Sequence, residues 1–212
     1  MTILVAGFSS FPGAPDNPTE HLMRALAAGT AEPVAMGLEA VVLPVEWDRS
    51  WPMLEAAISS AGASTVLLFG LHSRAERLRI ELLARNRREL GRIDAAGCFP
   101  SGPAVMDGPE KLRLALPWAG VARALREARV SFEWSTSAGT YLCNDTLYRL
   151  AYNADRLGVR RYGFFHVPLT DELVAAPDIE AMPEVFCSLA AADLERAARH
   201  LIATLSQDEA LV

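Results

Sequence analysis

One cysteine of this sequence is well placed to act as a nucleophile. Cys143 follows a turn of small residues at positions 137–140, and that turn follows a predicted strand at residues 130–135. The first turn of a helix exposes unpaired backbone N–H groups and the positive end of the helix dipole, and both favour a thiolate over a thiol. Four apolar residues at helical spacing place the sulfur on the inward face: Leu147, Leu150, Ala151 and Ala154. A small buried core cysteine is the alternative that this stretch alone leaves open.

A histidine at the end of another predicted strand is the candidate base for this thiol. His166 belongs to the apolar run at residues 162–167, which Pro168 ends. One helix and a turn separate Cys143 from His166, which is the length of a right-handed crossover between two parallel strands. We therefore expect both side chains at one edge of a sheet, where the imidazole can take the proton of the thiol. A hydrogen-bonded structural histidine is the alternative. The weaker candidates lie on predicted helix surfaces or in a loop: His21, His72 and His200.

The elements that position these residues alternate along the chain. Short β-branched runs at residues 3–6, 40–45 and 65–69 are separated by amphipathic helices, the first of which begins at Asn17-Pro18. This alternation predicts an α/β fold with an open, mostly parallel sheet and helices on both faces, an α/β/α sandwich. The strand at 130–135 is predicted to be central. Because no repeat, low-complexity tract or linker interrupts the chain, we expect residues 1–212 to form a single domain with a frayed tail at 207–212.

Composition excludes several classes of protein. The chain has 20 basic and 26 acidic residues, a net charge of −6, so it lacks the broad positive field of a nucleic-acid-binding or anionic-membrane-binding protein. Its apolar runs are far too short to span a membrane, and its start lacks the basic residues of a signal peptide. Three widely spaced cysteines, Cys98, Cys143 and Cys187, fit neither a disulfide framework nor a zinc knuckle. We expect a cytoplasmic protein that uses no metal.

The segment at residues 73–92 is ambiguous. Its arginine, leucine, alanine and glutamate content favours a helix, in which Glu81 would pair with Arg77 and Arg85 on a solvated face. Read as a strand, the segment alternates and places Glu81 on the face opposite Leu78 and Ile80. Propensity alone favours the helix. The proline-containing stretch at 95–107 is predicted to be a long loop of the kind that either covers a site or is disordered.

Four short motifs together resemble one family of enzymes. They are Ser137-Ala138-Gly139-x-Tyr141-Leu142-Cys143-Asn144, Phe165-His166-Val167-Pro168, Gly7-Phe8-x-x-Phe11 and Asn17-Pro18-Thr19. In combination they resemble the type I pyroglutamyl peptidases, also called pyrrolidone-carboxylate peptidases. The resemblance extends from residue 3 to about residue 205.

The resemblance implies a cysteine peptidase that removes an N-terminal pyroglutamate through a thioester acyl-enzyme. It implies Cys143 as the nucleophile, His166 as its base and Glu81 as the third member of the triad. Because the family places this glutamate on an extended segment, the resemblance favours the strand reading of 73–92 over the helix. It also implies a peptide substrate, no cofactor, and a homodimer or homotetramer.

The resemblance further implies which residues bind the substrate. Phe8 and Phe11 would enclose the flat lactam ring, and the backbone N–H groups of the turn before Cys143 would receive the oxyanion. The other residues that it assigns to substrate binding follow two predicted strands: Gly70, Leu71, Tyr141 and Leu142.

The match departs from the family pattern after Gly70. The second glycine of the family's motif there is missing, and Gly91 stands where the family has an arginine near its oxyanion site. Arg92 is the adjacent candidate, although on a strand a shift of one residue turns a side chain to the other face. The sequence therefore leaves a second hypothesis open. The chain would then be an altered family member that binds a cyclic or acylated ligand without turnover, or that acts on another N-terminal acyl group.

Overall fold

A six-stranded sheet forms the centre of the computed structural model, which describes residues 2–12, 14–29, 37–174 and 187–207. In chain order the elements are β1 Thr2–Phe8, α1 Pro18–Ala27, β2 Leu38–Leu43, α2 Ser50–Ala61, β3 Ala63–Leu71, β4 Leu78–Glu81, β5 Leu83–Arg85, β6 Lys111–Arg113, α3 Trp118–Glu127, β7 Phe132–Ser135, α4 Leu142–Leu157, β8 Arg161–Val167, β9 Leu169–Thr170, α5 Asp171–Val174, β10 Ser188–Leu189 and α6 Ala191–Gln207. Within the described residues, β9 pairs with β10 and β5 with β6 in two small additional sheets.

The central sheet is mostly parallel and carries helices on both faces, as predicted. Its strand order is β2-β1-β3-β8-β4-β7, with parallel pairing from β2 through β8. Alternate residues of β1 enter two different apolar cores. Val5 packs in the core that contains α1, α3 and α6, and Leu4 packs in the core that contains α2 and α4. Because side chains of a strand alternate between faces, these two cores lie on opposite sides of the sheet. The predicted α/β/α architecture is confirmed.

The position of the strand before the cysteine differs from the prediction. β7 lies at the edge of the sheet and not at its centre, and β4 separates it from β8. β4 is parallel to β7 and antiparallel to β8, so the carboxyl ends of β7 and β8 do not meet at one edge. The prediction of a simple parallel crossover between Cys143 and His166 is therefore wrong. β4, a strand with a weak sequence signal, lies between β7 and β8 and runs antiparallel to β8.

That inserted strand comes from the ambiguous segment at 73–92. β4 and β5 are extended, so the helix that propensity favoured is wrong and the strand reading is confirmed. Leu78, Ile80 and Glu81 are fully buried, and β4 is paired along both of its edges. Burial and pairing on both sides outweigh an intrinsic helix preference of a few tenths of a kcal/mol per residue.

The ends of the described helices follow local sequence signals. The Asn17 side chain accepts a hydrogen bond from the backbone N–H of Thr19 at 3.0 Å and caps α1, which begins at Pro18 as predicted. Gln207 is the last residue of α6, and residues 208–212 of the predicted frayed tail lie outside the described residues. No helix in the described ranges has both the length and the apolar character needed to cross a membrane.

Candidate active site

A cavity of about 260 Å³ contains both Cys143 and His166. Its wall includes six more of the residues that the sequence assigned to the site: Phe8, Phe11, Leu71, Arg92, Tyr141 and Leu142. The wall also includes the backbone of Gly139 and six side chains that the sequence did not assign to substrate binding or catalysis: Asn17, Val45, His72, Glu89, Ala138 and Thr140. The cavity is therefore assembled from the ends of β1, β3 and β8 and the residues that follow β1 and β3, together with residues 89 and 92 and the turn before α4.

Cys143 is the second residue of α4, as its sequence context predicts. The turn before it passes through Gly139, whose φ of 77° is a left-handed conformation that favours glycine. Gly70 lies behind the sulfur and not in the cavity wall. A Cβ atom at Gly70 would stand 2.9 Å from the Cys143 Sγ and 2.6 Å from a ring carbon of Phe164. The penultimate residue of β3, at position 70, must therefore lack a side chain so that the Cys143 sulfur can occupy its place.

Opposing effects act on the acidity of the Cys143 thiol in the unliganded protein. Burial raises the pKa of Cys143 to about 12, and the charge of Arg92 and a backbone hydrogen bond oppose this increase only in part. The negative charge of Glu81 raises it further. Loss of hydration therefore opposes the thiolate that the helix terminus favours, and the activated thiolate stays a prediction from the sequence. The thiol must transfer its proton when it reacts.

His166 and Glu81 form a buried pair. The Nδ1 atom of His166 lies 2.8 Å from the Oε1 atom of Glu81, and both side chains are almost completely excluded from solvent. Because a carboxylate only accepts hydrogen bonds, Nδ1 carries the proton and Nε2 is the basic nitrogen. Burial alone would raise the pKa of Glu81. The hydrogen bond and charge of His166, the hydroxyl of Ser135 and the charge of Arg79 outweigh burial and lower it.

Two side chains after the cysteine hold the loop that follows β5. The amide of Asn144 accepts a hydrogen bond from Arg85 N–H at 2.9 Å and donates to the carbonyls of Arg85 and Arg87 at 2.8 and 2.9 Å. The buried carboxylate of Asp145 accepts from Arg88 Nε at 2.6 Å and from Arg149 Nε at 2.9 Å. The first turn of α4 therefore fixes both the nucleophile and the start of this loop.

The same loop forms the mouth of the cavity at residues 89–92. Glu89 N–H donates to the carbonyl of Thr140 at 2.8 Å, and Arg92 N–H donates to the carbonyl of Glu89 at 3.3 Å. The Arg92 guanidinium lies 3.9 Å from the centre of the Tyr141 ring, a cation–π contact. The cavity wall thus takes its charged residues from 89–92, and not from the stretch at 95–107 that sequence reasoning proposed as a cover.

The sequence model of the pyroglutamyl peptidase family matches residues 1–204. The chain belongs to the pyroglutamyl peptidase family. Pyrrolidone-carboxylate peptidase of Oceanobacillus iheyensis is 30% identical over 199 residues, which cover 92% of this chain and 94% of that protein. The Lacticaseibacillus paracasei enzyme of the same name is 32% identical and covers 86% of this chain and 85% of its own length. A variant of pyrrolidone carboxyl peptidase from Pyrococcus furiosus has a TM-score of 0.88 at 26% identity, over 98% of this chain and 99% of its own.

In this pyroglutamyl peptidase, Arg92 lines the cavity, one residue after Gly91, the position to which the resemblance assigned the family's arginine. Residues 91 and 92 lie in a turn and in irregular backbone, and not on a strand. The argument that a shift of one residue reverses a side chain does not apply there, because it depends on the alternation of a strand. Arg92 lines the cavity and its charge acts on the Cys143 thiol.

The described residues of the peptidase contain no group of three or more His, Cys, Asp or Glu side chains that could hold a metal ion. Cys98, Cys143 and Cys187 are all free thiols. The cavity brings together a thiol and an imidazole, and a carboxylate contacts the imidazole from behind; groups of these types can carry out acyl transfer.

Proposed function

We propose that this chain removes N-terminal pyroglutamate from peptides, with Cys143 as nucleophile, His166 as general base and Glu81 as the group that orients His166. One observation carries the assignment of roles. The 2.8 Å contact between His166 Nδ1 and Glu81 Oε1 leaves Nε2 as the basic nitrogen of an imidazole that shares a cavity with the Cys143 thiol. Family membership supports this activity over the alternative of a member that binds a ligand without turnover.

The reaction begins with transfer of a proton from Cys143 Sγ to His166 Nε2. The sulfur then attacks the carbonyl carbon that links pyroglutamate to the next residue, and the resulting imidazolium donates its proton to the departing amine. A thioester remains on Cys143. Water, deprotonated by His166, attacks the thioester and releases free pyroglutamate and the thiol. Because the thiol has a raised pKa in the empty cavity, proton transfer accompanies binding and attack.

The cavity suits a small neutral ring. Phe8, Phe11, Leu71 and Leu142 supply apolar walls, and a lactam offers them two flat faces. The backbone N–H groups of the turn before α4 are the candidate donors to the oxyanion. Arg92 adds a positive charge at the mouth, where negative charge develops as the thiolate and then the tetrahedral intermediate form.

Hydrolysis of pyroglutamyl aminomethylcoumarin by the wild-type protein tests the proposed function. The matched control substrates are prolyl aminomethylcoumarin, which keeps the ring without its carbonyl, and acetyl-alanyl aminomethylcoumarin, which keeps an acyl group without the ring. We expect release from the pyroglutamyl substrate alone. Release from the acetyl substrate would indicate another acyl specificity. Tight binding of pyroglutamyl aldehyde without turnover of any substrate would support the ligand-binding alternative.

Replacement of Phe8 by alanine is expected to weaken substrate binding more than the chemical step. Phe8 is 3% exposed and lines the cavity, and its ring centre lies 6.4 Å from that of Phe164. Removing one aromatic wall of the ring site should raise KM about 10-fold and lower kcat less than about 3-fold. Steady-state kinetics measure both constants, and Phe99→Ala, at an exposed phenylalanine of the loop, is the control. An unchanged KM would exclude Phe8 from substrate binding.

Arg92→Met is expected to lower kcat/KM about 10-fold. The substitution keeps much of the side chain's length but removes the charge that lowers the pKa of Cys143. The rate of carboxymethylation of Cys143 should therefore shift to higher pH together with the loss of activity. Arg87→Met, at an exposed arginine outside the cavity wall, is the matched control and should leave both rates unchanged.

We also propose that the peptidase is a cytoplasmic homodimer or homotetramer. The resemblance to its family supports the assembly, and the three free thiols fit a reducing compartment. Light scattering after gel filtration measures the assembly directly, and a monomeric mass would contradict it.

A further inference from the structure

A second histidine stands beside the catalytic imidazole and has no part in the mechanism above. His72 follows the end of β3 and lines the cavity. Its ring centre lies 5.5 Å from that of His166, with an angle of 79° between the ring planes. Its backbone N–H donates to the carbonyl of Val167 at 2.9 Å, so the backbone at His72 is fixed to the end of the strand that carries His166.

Arg79 connects His72 to the catalytic pair. The Nη1 atom of Arg79 lies 3.3 Å from His72 Nε2, and its Nη2 atom donates to the hydroxyl of Ser135 at 2.9 Å. The Nε atom of the same guanidinium is 3.9 Å from Glu81 Oε1, the oxygen that contacts His166. Since arginine only donates hydrogen bonds, His72 Nε2 must accept, and the imidazole of His72 is neutral with its proton on Nδ1.

We propose that neutral His72 is a positioning residue, which holds Arg79 against Glu81 and thereby keeps His166 oriented toward Cys143. Protonation of His72 reverses this effect in two ways. It removes the acceptor at Nε2 that binds Arg79, and it places a positive charge beside both Arg79 and the imidazolium that His166 must become during the reaction. The inference rests on the proposed function, because it assigns His72 a role in the same reaction.

The charged groups around His72 keep it neutral near pH 7. Burial lowers the pKa of His72, and the positive charges of His166 on β8 and Arg79 on β4 lower it further. Glu81 on β4 and the backbone of His72 itself oppose this change only in part. The other titratable or charged side chains of the cavity are Cys143 on α4 and the mouth residues Glu89 and Arg92. His72 therefore gains its proton only below its ordinary titration range.

The pH dependence of pyroglutamyl aminomethylcoumarin hydrolysis tests this role. His72→Gln offers Arg79 an uncharged acceptor that does not titrate. We expect it to retain kcat within about 3-fold at pH 8 and to make the acid limb of log kcat against pH less steep, with a limiting slope of about 1 instead of about 2, since one of two inactivating protonations is removed. His72→Ala, which leaves Arg79 without this acceptor, should lower kcat about 10-fold at pH 8 with KM within about 2-fold.

The matched control is His21→Gln, which replaces an exposed histidine that pairs with Asp16 and lies outside the cavity wall. Its pH profile should superimpose on that of the wild type. Thermal unfolding of each variant separates folding from positioning, because a purely structural role would lower the melting temperature without changing the slope of the acid limb. A His72→Gln acid limb that superimposes on the wild-type limb would overturn the role of His72. Wild-type protein that releases no coumarin at any pH would instead overturn the proposed function.

Discussion

Replacement of Cys143 by alanine is expected to lower kcat for pyroglutamyl aminomethylcoumarin by at least about 10⁵-fold. No other thiol lines the cavity, and the remaining groups, an imidazole and a buried carboxylate, cannot form the thioester. In the variant, direct attack by a water molecule assisted by His166 would have to replace the covalent route. None of the residues that line the cavity offers a second thiol that could take the place of Cys143. Progress curves at micromolar enzyme, compared with the substrate alone, measure the loss over this range.

The matched controls for Cys143→Ala are Cys98→Ala and Cys187→Ala. Both cysteines are exposed free thiols outside the cavity wall, so both variants should keep kcat within about 2-fold of the wild type. The Cys143→Ala protein should still bind pyroglutamyl peptides, since it keeps the apolar walls at Phe8 and Leu142. Residual turnover by Cys143→Ala above about 1% of wild type would contradict the nucleophilic role.

Local patterns in the sequence carried the prediction of the sheet and of two reactive residues. The β-branched runs, the Asn17-Pro18 helix start and the apolar stripe after Cys143 each reflect interactions between neighbours in the chain, which is why the structure reproduces them. Glu81 is different. Its segment has a helical composition and becomes a strand only because β7 and β8 pair with both of its edges, and only the resemblance to a family indicated that outcome.

Long-range burial explains what the sequence did not show at the site. The helix terminus predicted a lowered pKa for Cys143, but enclosure of the thiol by residues distant in the chain raises it. His72 had the signal of an ordinary loop histidine, and its place beside His166 follows from the pairing of β3 with β8, in which Gly70 stands opposite His166. A periodicity argument cannot supply such a contact, because it depends on which strands become neighbours.

Glu81→Gln is expected to lower kcat by roughly 10²–10⁴-fold with KM within about 3-fold. The amide oxygen can still accept the hydrogen bond from His166 Nδ1, so the ring keeps its orientation. The variant lacks the negative charge that stabilises the imidazolium formed when Cys143 gives up its proton. Its amide group also adds donors near Arg79 Nε, which has no hydrogen-bond partner in the described structure. The loss should therefore appear in the chemical step and not in binding.

Glu133→Gln is the matched control, because Glu133 also contacts Arg79 Nε, at 3.4 Å, but is partly exposed and outside the cavity wall. Glu133→Gln should leave kcat within about 2-fold of the wild-type value.

Glu81→Gln should also lower the free energy of unfolding by about 1–3 kcal/mol at pH 7. Since the pKa of Glu81 is lowered in the folded state, its contribution is complete above its unfolded value and is lost as pH falls through the folded value. The difference in unfolding free energy between wild type and Glu81→Gln should thus shrink under acid conditions. In the kinetic experiment, equal kcat values for the two proteins at pH 7 would exclude Glu81 from the triad.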